Sequence, residues 1–220
     1  MLFLHGYLSC KETFAAQIEY FSKFYRVTAI DFLGFGRSAA LKEPFGVDEY
    51  AAWTENVLSL LGVEFPHVIA HSFGCRVAVK MAKRRGQVFD KMLLTGPAGV
   101  VLPRSLAYKI KVKTYRIARN IAPRFAEKRF GSKEYKTLSP LMKKSYKKIV
   151  NEDLRPCARE VQNRVLIVEG ERDKVTTKKE AEAYLAAFPN AKLKIVRGGH
   201  FAFLDDPVAF NLIAEEFFYE

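Results

Sequence analysis

The chain has 220 residues and a formal net charge of +12 at pH 7, and 49% of its residues are hydrophobic. This length and apolar content fit one compact domain with an insertion, and they exclude disordered and collagen-like chains. No apolar run approaches the roughly 18–20 residues that span a bilayer, and the N-terminus lacks the basic region and apolar length of a signal peptide. The cysteines, Cys10, Cys75 and Cys157, are widely spaced and include no CxxC pair. This spacing favours a reducing compartment over a disulfide or zinc framework, so we expect a cytoplasmic protein.

Outside residues 101–160, short apolar or β-branched runs alternate with longer amphipathic stretches, a pattern typical of a parallel α/β sheet. In chain order the predicted elements are strand Leu2–His5, helix Lys11–Ser22, strand Arg26–Asp31, helix Asp48–Leu61, strand His67–His71, helix Phe73–Arg85, strand Lys91–Thr95, strand Arg164–Glu169, helix Thr177–Phe188, strand Lys192–Val196 and helix Pro207–Phe218. The strands are almost continuously apolar, which predicts burial on both faces. We therefore predict an α/β fold with a doubly wound, mainly parallel sheet of about six strands.

The positive charge is concentrated in one block of the sequence. Residues 101–160 contain 17 lysines and arginines against 5 aspartates and glutamates, whereas the rest of the chain contains 19 of each kind. The block is predicted to be mostly helical, with breaks at Pro123, Gly131 and Pro140. We expect residues 1–100 and 161–220 to form the core and residues 101–160 to form a basic helical insertion.

The segment Ala70–Gly74, with the sequence AHSFG, joins the third strand to the following helix. It has the form small-x-Ser-x-Gly, which is the pattern of a nucleophile elbow. Such a strained turn projects the Ser72 hydroxyl away from the backbone, at a helix N-terminus whose N–H groups can stabilise developing negative charge. The pentapeptide taken alone also fits a serine that only caps the helix.

Other loops add to this pattern. His5–Tyr7 follows the first strand, Gly170–Asp173 follows the fifth and Gly198–His200 follows the sixth. Because the carboxyl ends of parallel strands meet at one edge of the sheet, we expect these loops to converge on Ser72. We predict that Ser72 is the nucleophile, His200 the general base and Asp173 the acid that orients it. The backbone N–H groups of Tyr7 and Phe73 are the predicted oxyanion hole.

Several neighbouring side chains offer alternative interpretations. Glu169 and Glu171 compete with Asp173 for the role of the acid, but Glu169 is predicted to lie within the strand and Glu171 comes early in the turn. Asp205 and Asp206 fit helix caps better than a triad acid. His71 is predicted to be structural, because neighbours on an extended strand point to opposite sides.

The order Ser72, Asp173, His200 resembles that of the α/β-hydrolase superfamily, in particular its small esterase-like members with a helical cap. Asp31–Ser38, with the sequence DFLGFGRS, is similar to the D-x-x-G-x-G-x-S loop of that superfamily. The resemblance implies that residues 101–160 are a cap that roofs the active site. Members usually carry two antiparallel strands before the strand leading to His-Gly, whereas only Met1 precedes it here. The resemblance therefore predicts a minimal member, a truncated chain, or a homodimer that pairs the edge strand Arg26–Asp31.

These features predict a serine hydrolase that cleaves a carboxylic ester or related acyl compound through an acyl-enzyme. One alternative keeps the triad but uses it for carbon–carbon bond hydrolysis, elimination or acyl transfer. The other is a non-catalytic scaffold whose basic cap binds an anionic partner. Ser72 argues against the dehalogenases and epoxide hydrolases of this fold, which use a carboxylate at the elbow.

The sequence motifs also indicate which partners and cofactors to expect. A stripe of lysines on one predicted helix could attract an anionic substrate or surface: Lys143, Lys144, Lys147 and Lys148. No motif indicates sequence-specific nucleic-acid binding. Gly34 and Gly36 lack the third glycine of a dinucleotide fingerprint, and we expect no metal or organic cofactor.

Overall fold

The structure, a computed structural model, describes residues 1–103 and 138–220 of the chain. Most of the predicted basic cap, including the breaks at Pro123 and Gly131, lies outside these residues.

Within the described residues, six strands form one parallel sheet in the order β2-β1-β3-β4-β5-β6. The strands are β1 (Leu2–Leu4), β2 (Thr28–Ile30), β3 (Val68–His71), β4 (Lys91–Thr95), β5 (Arg164–Gly170) and β6 (Ala191–Val196). All six predicted strands are present, and the predicted fold class is confirmed. β2 and β6 are the edge strands, and they are less buried than the four inner strands.

Helices follow the strands as the alternating pattern predicts. A 3₁₀ helix over Lys11–Phe14 leads into α1 (Ala15–Phe21), and the other helices are α2 (Val47–Leu60), α3 (Phe73–Arg85), α4 (Pro140–Val150), α5 (Arg155–Ala158), α6 (Lys178–Leu185), α7 (Ala202–Asp205) and α8 (Pro207–Tyr219). Helix α8 begins as its sequence predicts, because Asp206 Oδ1 accepts a hydrogen bond from the Ala209 N–H and Pro207 occupies the first turn. Helix α4 begins in the same way, with Ser139 as its N-cap and Pro140 after it.

The sheet separates two apolar layers. One face packs against α2, α3 and α6, with Leu4, Ala70 and Leu94 among its buried side chains. The other face packs against α1 and α8 through a second set, which includes Phe3, Ile69, Leu93, Phe21, Phe210 and Phe217. Burial on both faces explains why apolar residues follow one another in the inner strands instead of alternating with polar ones.

The chain reverses its direction of sheet growth at β1. It passes from β1 to β2 on one side and then returns to place β3 on the other side of β1. The loops after β1 and β3 therefore diverge at the carboxyl ends of these strands. Such a switch point leaves a crevice in which open α/β sheets usually bind their ligands.

Candidate active site

Ser72 occupies a sharp turn between β3 and α3. Its φ of 50° and ψ of −107° lie in the positive-φ region that L-residues rarely adopt. Gly74 follows in the first turn of α3, and a Cβ at this position would clash with the carbonyl oxygen of Leu4. Glycine thus lets the helix approach β1, and the strained turn points the Ser72 hydroxyl outward, as the elbow pattern predicts.

Three predicted site residues form one chain of hydrogen bonds. Ser72 Oγ lies 3.0 Å from His200 Nε2, and His200 Nδ1 lies 2.7 Å from Asp173 Oδ2. The Asp173 side chain is completely buried, and that of His200 is 12% exposed. An imidazole in this position can take the serine proton while the carboxylate fixes its tautomer and stabilises the imidazolium.

Asp173 is held by the residues that follow it. Its Oδ1 accepts hydrogen bonds from the N–H groups of Val175 and Thr176, and the Thr176 hydroxyl donates to Oδ2 at 2.9 Å. Burial by itself would raise the pKa of Asp173, but the hydrogen bonds from His200 and from the Val175 N–H outweigh it and lower the pKa to about 2. The carboxylate is therefore charged at neutral pH.

Backbone contacts join the two loops that carry Asp173 and His200. The N–H of Glu171 donates to Val196 O and that of Arg172 donates to Gly198 O, both at 2.9 Å. Asp205 Oδ2 accepts a hydrogen bond from the Gly199 N–H at 2.7 Å. Asp206 is the helix cap that the sequence predicts, but Asp205 instead stabilises the turn before His200.

The rival acids lie elsewhere. Glu169 is a completely buried residue of β5, and Glu171 is an exposed residue whose Oε1 lies 3.9 Å from Arg172 Nε. Within the part of the chain that the structure describes, neither carboxyl group has a hydrogen bond to His200.

The predicted oxyanion hole lies at the switch point. Tyr7 follows β1, and Phe73 is the first residue of α3. Among residues 1–103 and 138–220, no backbone carbonyl accepts a hydrogen bond from the N–H of Tyr7 or Phe73, which leaves both free for a substrate oxygen. His5 braces this loop, because its Nε2 accepts from the Phe32 N–H at 3.0 Å and its Nδ1 lies 2.7 Å from Gly6 O.

The His71 side chain contacts the backbone of His200 and holds it in place. Its Nε2 lies 2.9 Å from the backbone carbonyl of His200, and the two ring centroids are 4.7 Å apart. Burial lowers the pKa of His71 to about 3, helped by the nearby charge of His200. The ring is therefore neutral at physiological pH and can donate its Nε2–H to that carbonyl, which agrees with a structural role.

A cavity of about 770 Å³ opens over Ser72. Apolar side chains from residues 97–103 and from α4 and its flanks line one side, among them Val100, Leu102, Leu138, Ile149 and Val150. Helix α4 also packs against the oxyanion loop, since the Tyr7 and Tyr146 rings lie 5.3 Å apart and Tyr7 Oη donates to Met142 O at 3.3 Å.

The structure adds residues that the motifs did not identify. Thr176 supports Asp173, and Arg76 and Glu180 are charged residues in the cavity wall. The Asp-x-x-Thr spacing could have predicted the contact between Thr176 and Asp173, because an aspartate carboxylate often accepts hydrogen bonds from residues two and three positions further along the chain. No comparable signal identifies Arg76.

The described ranges contain neither a metal-binding cluster nor a membrane-spanning helix. No group of three or more histidine, cysteine, aspartate or glutamate side chains there could hold a metal ion. No helix in those ranges has the length and apolar character needed to cross a bilayer.

Comparison with known proteins agrees with the fold. A family model of the alpha/beta hydrolase fold matches residues 1–149. The chain therefore belongs to the α/β-hydrolase fold family, and the predicted resemblance and enzyme class are confirmed. Similar proteins include enzymes named as esterases and lysophospholipases.

Three relatives illustrate the range of similarity. An uncharacterized protein of Mycobacterium tuberculosis is 25% identical over 99% of this chain and 74% of its own length. Probable lysophospholipase BODYGUARD 3 of Arabidopsis thaliana is 30% identical over 56% of this chain and 25% of its own length. The solved structure of the esterase EaEST from Exiguobacterium antarcticum has a TM-score of 0.77 at 21% identity, and the match covers 100% of this chain and 91% of that one.

Proposed function

We propose that this protein is a serine hydrolase that cleaves a carboxylic ester or a related acyl compound. The observation that carries the proposal is the continuous hydrogen-bond chain from Ser72 through His200 to the buried Asp173, beside a partly apolar cavity. Esterases and lysophospholipases among the similar proteins support the same class of reaction.

In the first half of the reaction, Ser72 Oγ attacks the carbonyl carbon while His200 Nε2 takes the hydroxyl proton. The carbonyl oxygen becomes an oxyanion that accepts hydrogen bonds from the N–H groups of Tyr7 and Phe73. Removing one such donor costs roughly 10²–10³-fold in rate in well-studied enzymes. When the intermediate collapses, the bond to the alcohol breaks and His200 returns the proton to the leaving oxygen.

The second half repeats these steps with water. Water attacks the acyl carbon and gives a proton to His200, and collapse of the intermediate releases the acid as Ser72 Oγ recovers that proton. Asp173 keeps the Nδ1–H of His200 directed toward itself, so that Nε2 is the atom that exchanges protons.

We also propose that residues 1–100 and 161–220 form the catalytic core and that residues 101–160 act as a cap. Helix α4 supports this division, because Met142 and Tyr146 contact the oxyanion loop at Tyr7 and Ile149 lines the cavity. A cover of this kind would select substrates by the shape of the apolar wall.

Labelling with a fluorophosphonate probe tests the nucleophile. We expect intact-mass analysis to show one adduct on the wild type, none on Ser72→Ala, and an unchanged adduct on Ser59→Ala, which removes an exposed serine of α2. Asp173→Asn should fold but lose roughly 10⁴-fold in ester turnover, the loss seen when a triad aspartate is replaced in a serine protease.

An adduct that persists in folded Ser72→Ala would contradict the proposal. Adding hydroxylamine to the ester assay separates hydrolysis from acyl transfer. Without hydroxylamine, a hydrolase turns over and releases the free acid, whereas an acyltransferase stops at the acyl-enzyme and turns over only when hydroxylamine accepts the acyl group.

A further inference from the structure

Arg76 lies one helical turn beyond Ser72, on the cavity side of α3. The residue is only 6% exposed and lines the cavity above the nucleophile. Its Nη1 donates one hydrogen bond, to the backbone carbonyl of Glu152 at 2.8 Å. Four residues along a helix correspond to roughly 6 Å between the backbones of Ser72 and Arg76, and both residues line the same cavity.

The charge of Arg76 is not neutralised by a carboxylate in the described parts of the chain. No aspartate or glutamate there comes within 4.0 Å of its guanidinium. Glu152 and Asp153 are near enough to affect the pKa of Arg76, but Lys80 pairs with the first and Arg155 with the second. The adjacent carboxylates are thus already engaged with other cations.

A buried guanidinium in this state is costly. Arginine stays protonated in proteins, and burying a charge without a partner costs several kcal/mol. Its planar fork has five N–H donors, and the Glu152 carbonyl uses one of them. The remaining donors are matched in geometry to a carboxylate or a phosphate, which they can bind with two parallel hydrogen bonds.

We infer that Arg76 determines specificity by binding an anionic group, a carboxylate or a phosphate, carried by the substrate on a spacer from the scissile carbonyl. This inference rests on the proposed function and narrows its substrate class to anionic esters. The 12-charge surplus of residues 101–160 favours the same sign of ligand, because a basic surface raises the local concentration of anions.

Among the described residues of the cavity wall, Glu180 is the one carboxylate, and it does not oppose this assignment. Glu180 belongs to the N-terminal cap of α6, where its Oε2 accepts hydrogen bonds from the Thr177 N–H at 2.6 Å and the Thr177 hydroxyl at 2.9 Å. Its charge is therefore stabilised at a helix N-terminus, and Arg76 is the arginine that the described part of the wall presents to the cavity.

The test compares the para-nitrophenyl hemiester of glutarate with para-nitrophenyl butyrate. We expect the wild type to favour the anionic ester in kcat/KM by roughly 10- to 100-fold, the range expected for a hydrogen-bonded charge pair. Arg76→Gln should bring the ratio close to one, and Arg76→Lys should restore part of it. Lys83→Gln, which removes the same charge from an exposed position of α3, should keep the wild-type ratio.

A second measurement does not depend on turnover. Free glutarate and inorganic phosphate are added separately during fluorophosphonate labelling of Ser72, and the protecting anion identifies which group Arg76 binds. We expect protection of the wild type and of Lys83→Gln but not of folded Arg76→Gln. If Arg76→Gln does not fold, Arg76→Lys takes its place, and we expect the anion to protect Arg76→Lys less well than the wild type.

The two proposals fail in different ways. A wild type that is labelled at Ser72 and hydrolyses both esters equally, without protection by either anion, overturns the role of Arg76 and leaves the serine hydrolase intact. A folded wild type that is neither labelled nor active on any ester overturns the proposed function, and the inference about Arg76 falls with it.

Discussion

Glu169 is the most unusual single residue outside the hydrogen-bond chain of the site. It is completely buried in β5, where its protonated carboxyl group can donate a hydrogen bond to the Asp173 carboxylate. Burial, together with the negative charge of Asp173, raises the pKa of Glu169 to about 9. The side chain is therefore a neutral acid at pH 7, and it remains uncharged beside a carboxylate that must stay ionised.

Replacement of Glu169 should reveal this cost as a pH dependence. Between the pKa of about 4.3 for glutamate in an unfolded chain and about 9 in the fold, only the folded state binds the proton, so the wild type loses stability as pH rises. We expect Glu169→Gln to match the wild type near pH 5 and to exceed its free energy of unfolding by at least about 1 kcal/mol at pH 8. Urea denaturation at the two pH values measures the difference.

Glu171→Gln, which changes an exposed carboxylate two residues away, is the control and should show no such divergence. A Glu169→Gln protein that is equally destabilised at both pH values would mean that Glu169 is ionised and paired in the fold.

The three residues of the hydrogen-bonded chain could be singled out from the sequence because each has a local signature at the end of a strand. Ser72 lies in a small-x-Ser-x-Gly turn, Asp173 follows a buried strand, and His200 follows two glycines. Arg76 was not predictable, because a lone basic residue on an amphipathic helix is usually solvated. Its burial depends on the packing of the chain around Glu152, more than 70 residues later, and no local pattern records that contact.

At the scale of elements, close contacts with neighbouring groups explain the glycines of two sequence motifs. Gly74 lets α3 pass close to β1, and Gly36 leaves space for the carboxylate of Asp31, where any Cβ would clash. That carboxylate accepts hydrogen bonds from the backbone N–H groups of Lys11 and Arg37, which closes the loop after β2. Packing therefore requires the glycines of these two motifs, which are also typical of the family.

Two glycine substitutions separate steric from conformational effects. Gly74→Ala places a Cβ against Leu4 O, while Gly62→Ala meets no atom within 4 Å but must adopt a φ of +60°. We expect a loss of about 1–2 kcal/mol for Gly62→Ala, the cost of the left-handed region. Gly74→Ala should lose more than about 3 kcal/mol or fail to fold, since backbone cannot move aside as a side chain can.

Thermal or urea unfolding of the two variants, compared with the wild type, measures these losses. Equal losses would show that the contact between α3 and β1 tolerates a methyl group. Ester turnover of any folded Gly74→Ala protein should also fall, because the shift needed to fit the methyl group moves Ser72.

The long helices were predictable because their apolar pattern extends over enough residues to define a period, and the strands because each is a short apolar run bounded by turn residues. α7, a helix of four residues over Ala202–Asp205, was missed because a single turn shows no period. The ends of elements were less predictable, since β2 is limited to Thr28–Ile30 by its pairing with β1 rather than by its own sequence. The helical content of residues 104–137 stays a prediction.

At the scale of the whole molecule, the positive charge surplus and the candidate active site belong to different parts of the sequence. The positive surplus belongs to residues 101–160, whereas Ser72, Asp173 and His200 belong to the rest of the chain, whose charges balance. The electric field of a group of charges acts on a charged ligand over about one Debye length, which is about 30 Å at 0.01 M salt and about 3 Å at 1 M.

Salt should therefore affect the two esters differently. We expect kcat/KM for the anionic glutarate hemiester to fall several-fold between about 0.01 M and about 1 M sodium chloride, because screening removes the attraction. The value for the neutral butyrate ester should change little, since it carries no charge to attract. Steady-state assays over this range measure both, and parallel curves would show that the basic block does not contribute to substrate capture.

The backbone hydrogen bonds between the loops after β5 and β6 have a consequence for engineering. Because Glu171 and Arg172 donate to Val196 and Gly198, the loop that carries the acid and the loop that carries the base are tied to each other. Exchanging either loop alone with a homologue would separate paired backbone groups and misplace His200. A graft that transfers residues 170–206 as a single cassette keeps these contacts intact, and the fit of His200 against Ser72 and His71 is then what has to be optimised.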